Sequence, residues 1–257
     1  MAGARGDEEA LSQSTSIARP ATSPPADGEA LLLRDPLEPV PLRASQPGAA
    51  QAARHSQRVR RSHVLAAVRR LIAEVGCENV TVRGIAETSG YAVQTVYNLV
   101  GPRDEAISAA ISEYSIFVGR TASPNDADPC ASPAIAERWM EAIALNPEFV
   151  RQSNILFFTA SRPIYYRFRD RQIRGLYNLL RRQKACGIIR EEVDLHMLAE
   201  RLGLFASAMC VDWADRPFPL AVLREKLCGG LADMLLESLA PAHREPLLAW
   251  VARMRGT

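Results

Sequence analysis

From Val64 onward, apolar residues recur at the spacing of an α-helix, and this periodicity restricts the fold more than any other feature of the chain. In the first such segment the apolar positions are Val64, Leu65, Val68, Leu71, Ile72 and Val75. They form one stripe of a helix that is predicted to begin near residues 60–62 and to end at Gly76. No segment alternates apolar and polar residues for long, and no Asn-Gly or Asp-Gly turn separates two apolar runs. The sequence therefore predicts an all-α protein.

Three more helices are predicted directly after the first. The second begins at Thr81, whose hydroxyl can cap free backbone amides, and it ends at Gly90. The third carries apolar residues between 93 and 100, and the pair Gly101-Pro102 ends it. Pro102 also suits the first position of the fourth helix. Short helices joined by a tight glycine-containing turn are typical of a helix-turn-helix unit.

The rest of the chain also reads as helical. Prolines fall at or just before the predicted starts, and Gly187 falls just past a predicted end. The predicted helices are 133–145, 147–160, 164–185, 194–214, 219–239 and 241–255.

The first 57 residues differ from the rest in composition. They hold seven of the 17 prolines and no aromatic residue, so they cannot bury enough surface to offset the entropy of the chain. We expect a disordered leader, or a start codon assigned upstream of the true one. The predicted organisation is a disordered leader at 1–57, a helix-turn-helix domain at 58–112, and a second helical domain at 113–257.

The distribution of charge restricts where nucleic acid could bind. The whole chain has a formal charge of only +2, so such binding must come from a local patch. Residues 1–50 carry four arginines against seven acids, whereas residues 51–107 carry eight arginines against five acids. The predicted helix-turn-helix region is therefore the positive part of the chain.

Several other classes of protein are not supported by the sequence. No apolar run approaches the roughly 18 residues that a membrane-spanning helix needs, and the acidic start does not resemble an export signal, so we expect a cytoplasmic protein with no membrane partner. The five cysteines are widely spaced, as in reduced thiols, and no C-x-x-C pair occurs. The four histidines are scattered, and no H-E-x-x-H, G-x-S-x-G or phosphate-loop motif occurs. No catalytic residue, metal site or cofactor is predicted.

Three short segments together resemble a known family. They are Thr81-Val82-Arg83-Gly84-Ile85-Ala86-Glu87-Thr88-Ser89-Gly90, then Thr95-Val96-Tyr97, then Arg103-Asp104-Glu105. In order and spacing they are similar to the amino-terminal DNA-binding domain of the TetR (tetracycline-repressor) family of bacterial regulators. The resemblance covers about residues 58–110. Ala92 stands where a family member usually has a serine that caps the third helix, and Gln94 stands where it has Gly or Pro.

The resemblance implies a set of DNA contacts. Gln94, Thr95 and Asn98 would face bases, and Tyr97 would bind a phosphate. These roles agree with the chemistry, because an amide can bond bidentately to adenine and a threonine methyl can meet a thymine methyl. Thr81 and Arg103, near helix starts, would anchor phosphates. The full predicted set is Arg60, Arg61, Thr81, Arg83, Gln94, Thr95, Tyr97, Asn98 and Arg103.

For the second domain the resemblance implies a small ligand and a dimer. The segments 196–214 and 219–239 are too apolar for helices with one exposed face, which favours a seam between two subunits at about residues 196–239. The alternative is that both are core helices of a monomer. The pair Gly229-Gly230 disfavours a helix, so we expect another helix to approach closely there.

A ligand pocket is expected among the aromatic residues that precede this seam. The candidate lining residues are Trp139, Phe157, Phe158, Tyr166, Tyr177 and Trp213. A basic cluster lies in the same region and is either a solvated face or a feature that favours an anionic ligand. Its members are Arg162, Arg167, Arg169, Arg171 and Arg174.

Together these features predict a dimeric DNA-binding transcriptional regulator, a repressor that a small molecule releases from a palindromic operator. The alternative is a dimeric helical ligand carrier or scaffold without operator control. Salt-dependent and sequence-selective binding of DNA separates the two.

Overall fold

The computed structural model describes residues 32–42, 49–122 and 125–256. In this part of the chain there are ten α-helices, and the only β-type pairing is an isolated bridge between Ile189 and Leu239. The helices are α1 (Ala49–Val75), α2 (Val82–Ser89), α3 (Val93–Val100), α4 (Arg103–Thr121), α5 (Ala131–Leu145), α6 (Pro147–Ile155), α7 (Arg162–Ala185), α8 (Leu195–Asp215), α9 (Leu220–Leu236) and α10 (Arg244–Arg255). The all-α prediction is confirmed. Within the same residues, no helix combines the length and the apolar content that crossing a bilayer requires.

Local capping explains why most predicted helix starts lie close to the observed ones. The Thr81 hydroxyl accepts a hydrogen bond from the Gly84 amide at 3.0 Å and so caps α2. The side chain of Asn146 caps α6 and that of Asp194 caps α8 in the same manner. These signals are encoded within a few residues of each terminus, which is why the sequence alone could place them.

Helix α1 is longer than its apolar stripe predicts. It begins at Ala49, not near residues 60–62, so the predicted start is wrong. Nearly all side chains from 52 to 60 are exposed, so this part of the helix has no buried face and leaves no apolar periodicity to detect.

Residues 32–42, which we call the N-terminal strap, are ordered against the helices. Leu33, Leu37 and Val40 pack on the apolar core, and the Val40 carbonyl accepts a hydrogen bond from Ser62 of α1 at 3.2 Å. The predicted disorder of residues 1–57 is therefore wrong for the strap and for the first turns of α1. Residues 1–31 and 43–48 lie outside the described residues.

Arg69 of α1 holds the strap in place. Its side chain is fully buried and donates to the carbonyls of Pro36 and Glu38 in the strap. It also donates to Glu113 of α4 at 2.8 Å, an ion pair inside the protein. Burial lowers the pKa of Arg69 from its ordinary value, and the neighbouring Glu113 carboxylate opposes that shift.

The apolar core runs without a break through α4. The first turns of α4 bury Ala106 and Ile107 among the helix-turn-helix residues, and its later turns bury Tyr114 and Phe117 farther along the same cluster. The predicted domain boundary at 112–113 thus falls inside one helix. A movement of α4 must therefore displace residues on both sides of this boundary.

Candidate DNA-binding surface and ligand cavity

Helices α2 and α3 form a rigid two-helix unit on α1. Gly90, at φ 72°, ends α2 in the left-handed conformation that favours glycine. Ile85 of α2 and Val96 of α3 are fully buried and pack in one apolar cluster with Leu65 of α1. Because the burial of Val96 against α1 and α2 fixes the rotation of α3, the opposite face of that helix is turned outward.

The outward face of α3 carries the predicted base-reading side chains. Gln94 and Asn98 are exposed, and Thr95 is half-buried. Tyr97 is 45% exposed. The Gln94 amide nitrogen donates to the Asn98 side-chain oxygen at 3.1 Å, so the two amides are adjacent one turn apart. The structure brings these four predicted residues together on one face.

The predicted flanking contacts have varied surroundings. Arg60 is exposed and Arg61 is half-buried on α1. The exposed Arg83 forms an ion pair with Glu87 one turn later in α2, at 3.0 Å. The Thr81 hydroxyl is engaged as the cap of α2.

Arg103 is turned inward. Its guanidinium donates to the carbonyls of Val80 at 2.8 Å and Cys77 at 2.5 Å, and it pairs with Asp104. It therefore ties the turn that precedes α2 to the start of α4. A phosphate contact for Arg103 stays a prediction, because this geometry gives the side chain a structural partner that the sequence could not reveal.

Arg54 belongs to the same surface and was not predicted from the sequence, whereas Arg58 was expected, with Arg60 and Arg61, to meet the flanking DNA backbone. Arg54 and Arg58 lie on the exposed beginning of α1, with Arg61 one turn farther, so all three share one face of the helix. In the described residues none of the three has an ion pair or a hydrogen bond. Their shared spacing was visible in the sequence, but the helix there was not predicted.

A cavity of about 430 Å³ lies among helices α4 to α9. Its walls are mainly apolar. Tyr114 of α4 meets Trp139 of α5 and Phe149 of α6 edge to face, with ring centroids 6.4 and 5.8 Å apart, and all three rings line the space. The volume falls within the range of small-molecule sites in proteins, roughly 300–1,000 Å³.

The predicted pocket residues are dispersed by the fold. Trp139 lines the cavity. Trp213 is buried, and its indole nitrogen donates to the Phe218 carbonyl at 3.1 Å, so it is a core residue. The Tyr177 ring stacks on the His196 ring, with centroids 4.2 Å apart, and the Arg169 guanidinium lies over the Tyr166 ring. Neither tyrosine lines the cavity.

Phe157 and Phe158 line a second space, an open groove of about 410 Å³ beside α8. Leu204, Ala208 and Val211 of α8 form the other side of this groove. Leu204 and Phe158 are 42% and 51% exposed, so the groove continues an apolar surface.

The close helix approach expected at Gly229-Gly230 occurs within the chain. A Cβ at Gly230 would meet the Phe205 ring of α8, and one at Gly229 would meet the Arg255 guanidinium of α10 at 3.2 Å. These neighbours account for both glycines without a second subunit.

Comparison with solved structures identifies the fold. SmeT, the repressor of the Stenotrophomonas maltophilia multidrug efflux pump SmeDEF, is similar over 71% of this chain and 92% of its own, with 16% identity and a TM-score of 0.57. TetR-family regulators from Rhodococcus sp. and Marinobacter aquaeolei cover 70% and 76% of this chain and 99% and 98% of their own. Their identities are 16% and 17%, and their TM-scores are 0.52 and 0.51.

The chain has the TetR fold.

These solved structures are those of a repressor and of TetR-family transcriptional regulators. No family model and no curated protein matches the sequence. At such low identity the TetR likeness concerns the path of the backbone, so the identity of each functional side chain must be argued from this chain itself.

Proposed function

We propose that this protein is a ligand-responsive, dimeric transcriptional regulator of the TetR family, and that it is a repressor which a small molecule releases from a palindromic operator. The observation that carries the proposal is the outward polar face of α3, held by a buried face that packs on α1 and α2. An exposed amide pair on a rigid helix suits the major groove, where amides read adenine. Such a regulator works in the cytoplasm, where bacterial DNA lies.

Arginines on α1 supply the second part of the DNA surface. Arg60 and Arg61, with Arg58 one turn and Arg54 two turns before Arg61, give this helix a basic start, and the first acid of α1 is Glu74. These side chains contact the phosphates that flank the bases read by α3. Contacts of this kind position the protein and carry no sequence information.

The ligand acts through α4 and α6. Helix α4 has its first turns in the helix-turn-helix core and its later turns along the cavity. Helix α6 lines the cavity as well, and its Gln152 carbonyl accepts a hydrogen bond from the Cys77 thiol at 3.5 Å, just before α2. A ligand that prefers another position of these helices shifts the population away from the DNA-binding state. A coupling of ~1–3 kcal/mol lowers operator affinity about 5- to 150-fold.

The dimer forms through α8 and α9, within residues 196–239. Support comes from the apolar residues that α8 leaves at the surface, above all Leu204 and Met197, beside the groove lined by Phe158. Two α3 helices related by a twofold axis can then enter major grooves about 34–36 Å apart.

Light scattering tests the dimer. The unmodified chain is expected to have twice the protomer mass, and Leu204→Glu is expected to yield a monomer. Leu248→Glu, at the exposed Leu248 of α10, is the matched control and stays dimeric. A monomeric unmodified chain, or a Leu204→Glu dimer, contradicts this interface.

Selection from a random duplex library tests DNA binding. The expected result is a palindromic consensus. Gln94→Ala and Asn98→Ala should each weaken binding of that consensus by ~1–3 kcal/mol and relax the sequence preference at one position per half-site. Thr88→Ala, at the exposed Thr88 of α2, is the control and leaves binding unchanged.

Salt dependence separates this function from a ligand carrier. Each of Arg54→Ala, Arg58→Ala and Arg60→Ala should lower the slope of log affinity against log salt by about 1 per half-site, with the consensus unchanged. A protein with neither a preferred site nor a salt slope, but with a bound small molecule, is a carrier.

A further inference from the structure

The cavity opens to solvent between α4 and α7. Gly119 of α4 and Gly175 of α7 both line it, and a Cβ at either position would meet nothing within 4 Å. Both glycines lie inside helices, where glycine is a poor choice, so local structure does not require them. Ile116, next to Gly119 on the cavity wall, is 45% exposed. We call the opening between Gly119 and Gly175 the mouth.

The mouth carries a free positive charge. Arg171 lies one turn before Gly175, lines the cavity and is exposed. Across the residues that the structure describes, it has no ion pair and no hydrogen bond. Arg182 also lines the cavity, but its Nε lies 2.8 Å from Asp126 Oδ1 and is therefore neutralised. None of the described lining residues is acidic.

The interior offers hydrogen bonds but no charge. The Ser132 hydroxyl, on a side chain that is 8% exposed, lines the cavity without a hydrogen-bond partner. Gln172 donates to Ser115 across the wall between α7 and α4. An orphaned hydroxyl inside a largely apolar space is satisfied when a ligand brings a polar atom to it.

We propose that the cavity binds an amphipathic carboxylate, with its apolar body inside and its carboxylate at Arg171 in the mouth. The inference rests on the proposed function at one point: the carboxylate would be the effector that releases the regulator from DNA. A guanidinium without a partner is the group that best recognises a carboxylate, whereas a cationic ligand would find no anion to pair with. The apolar walls supply affinity, and Arg171 supplies the choice between head groups.

Three probes with one alkyl chain test the head group: dodecanoate, dodecan-1-ol and dodecyltrimethylammonium. Each is titrated by calorimetry into the full chain without DNA, below its critical micelle concentration. Dodecanoate is expected to bind with one site per protomer and at least about tenfold more tightly than the alcohol, as a charge-assisted hydrogen bond allows. The cation is expected to bind most weakly.

Arg171→Gln is expected to bring the affinity for dodecanoate down to that for the alcohol and to leave the alcohol unchanged. Arg174→Gln is the matched control, because Arg174 is exposed on the same helix and does not line the cavity. Helicity by circular dichroism checks that both variants are folded.

The mouth has its own test. Gly175→Phe should slow dodecanoate association at least about tenfold, because the ring would stand in the opening, and Gly175→Ala should not. The signal is the change in tryptophan fluorescence on binding, and of the three tryptophans only Trp139 lines the cavity. Equal association rates for the two variants overturn the assignment of the mouth.

Other results overturn the ligand class. These are no saturable binding of dodecanoate, equal or tighter binding of the alcohol or the cation, or an Arg171→Gln variant that keeps the preference for the carboxylate. The proposed function fails separately: a chain that binds dodecanoate through Arg171 but selects no operator is a carrier, and its ligand class still holds.

Discussion

Arg69 is a buried cation of α1 whose partners come from two other parts of the chain. Two are strap carbonyls, and two, the Ala110 carbonyl and the Glu113 carboxylate, belong to α4. A buried charge is tolerated only when it is paired and hydrogen-bonded. The sequence shows Arg69 as one of two adjacent arginines, and nothing local distinguishes it from Arg70.

We predict that Arg69→Ala lowers the free energy of unfolding by ~3–5 kcal/mol, because it leaves Glu113 and the strap carbonyls without their donor. The measurement is urea denaturation followed by circular dichroism. Arg60→Ala, at an exposed site, should change stability by less than about 0.5 kcal/mol. A loss below about 1 kcal/mol in Arg69→Ala would show that the buried network contributes little.

Thiol reactivity tests the burial of single residues. Burial raises the pKa of Cys77 and Cys228 to about 12 and that of Cys130 and Cys210 to about 11, while Cys186 is exposed. At pH 8 we expect Ellman's reagent to modify one thiol per folded chain rapidly and all five after unfolding. Rapid modification of Cys77, Cys130 or Cys228 in the folded chain would contradict the described core.

The same shifts predict a pH dependence of stability. Because the folded pKa values of the buried thiols are raised, their contribution is complete below the unfolded value of about 8.5. It is lost as pH rises from there toward 11–12. The free energy of unfolding should therefore fall with alkaline pH, and replacing Cys77 with Ser should reduce that fall.

At the scale of elements, glycines decide how closely α7 and α8 pack. A Cβ at Gly203 of α8 would collide with Ile173 of α7, whose branched side chain cannot move aside easily. Gly175 of α7, by contrast, faces open space. Gly203 and Gly175 thus lie in neighbouring helices, but one faces a close side chain and the other faces open space. A helix-propensity scale assigns both the same value because it considers only the residue type.

We predict that Gly203→Ala destabilises the protein by ~1–3 kcal/mol through overpacking. Gly175→Ala should stabilise it by ~0.5–1 kcal/mol, since alanine is the better helix former where nothing obstructs it. Thermal unfolding of the two variants measures both effects. Stabilisation by both substitutions would mean that α7 and α8 are not in close contact at Gly203.

At the scale of the whole molecule, the strap joins α1 to the wall of the cavity. Tyr114 donates its hydroxyl hydrogen to the Arg34 carbonyl at 3.0 Å, and the same ring lines the cavity. Burial raises the pKa of Tyr114, so this hydroxyl stays protonated and remains a donor. The strap therefore contributes to the fold across α1 and α4.

A truncation series tests the strap. A chain that begins at residue 49 should be ~2–4 kcal/mol less stable than one that begins at residue 32, because Arg69 and Tyr114 lose their acceptors. In the shorter chain Arg69→Ala should cost much less than in the longer one, since coupled residues are not additive. Additive effects would separate Arg69 from the strap.

The candidate DNA surface was more predictable than the ligand site. Gln94 and Asn98 lie on a short amphipathic helix, where the buried face determines the exposed one. Periodicity gave no such guide to the aromatic residues. Trp139 and Trp213 are both tryptophans in apolar helices, yet Trp139 lines the cavity and Trp213 packs in the core. Arg103 shows the same limit, since its acceptors at Cys77 and Val80 belong to a turn more than twenty positions away.

The sequence by itself determined the helical class, the order of the helices and the outward face of α3. These follow from residues within one or two turns of each other, through periodicity, capping and the conformations of glycine and proline. Tertiary structure alone decided that the strap is ordered, that Arg69 is buried and that Arg171 stands at the mouth of a cavity. Each of these depends on which distant segments meet, and the free energy of such contacts is not encoded in any single stretch of chain.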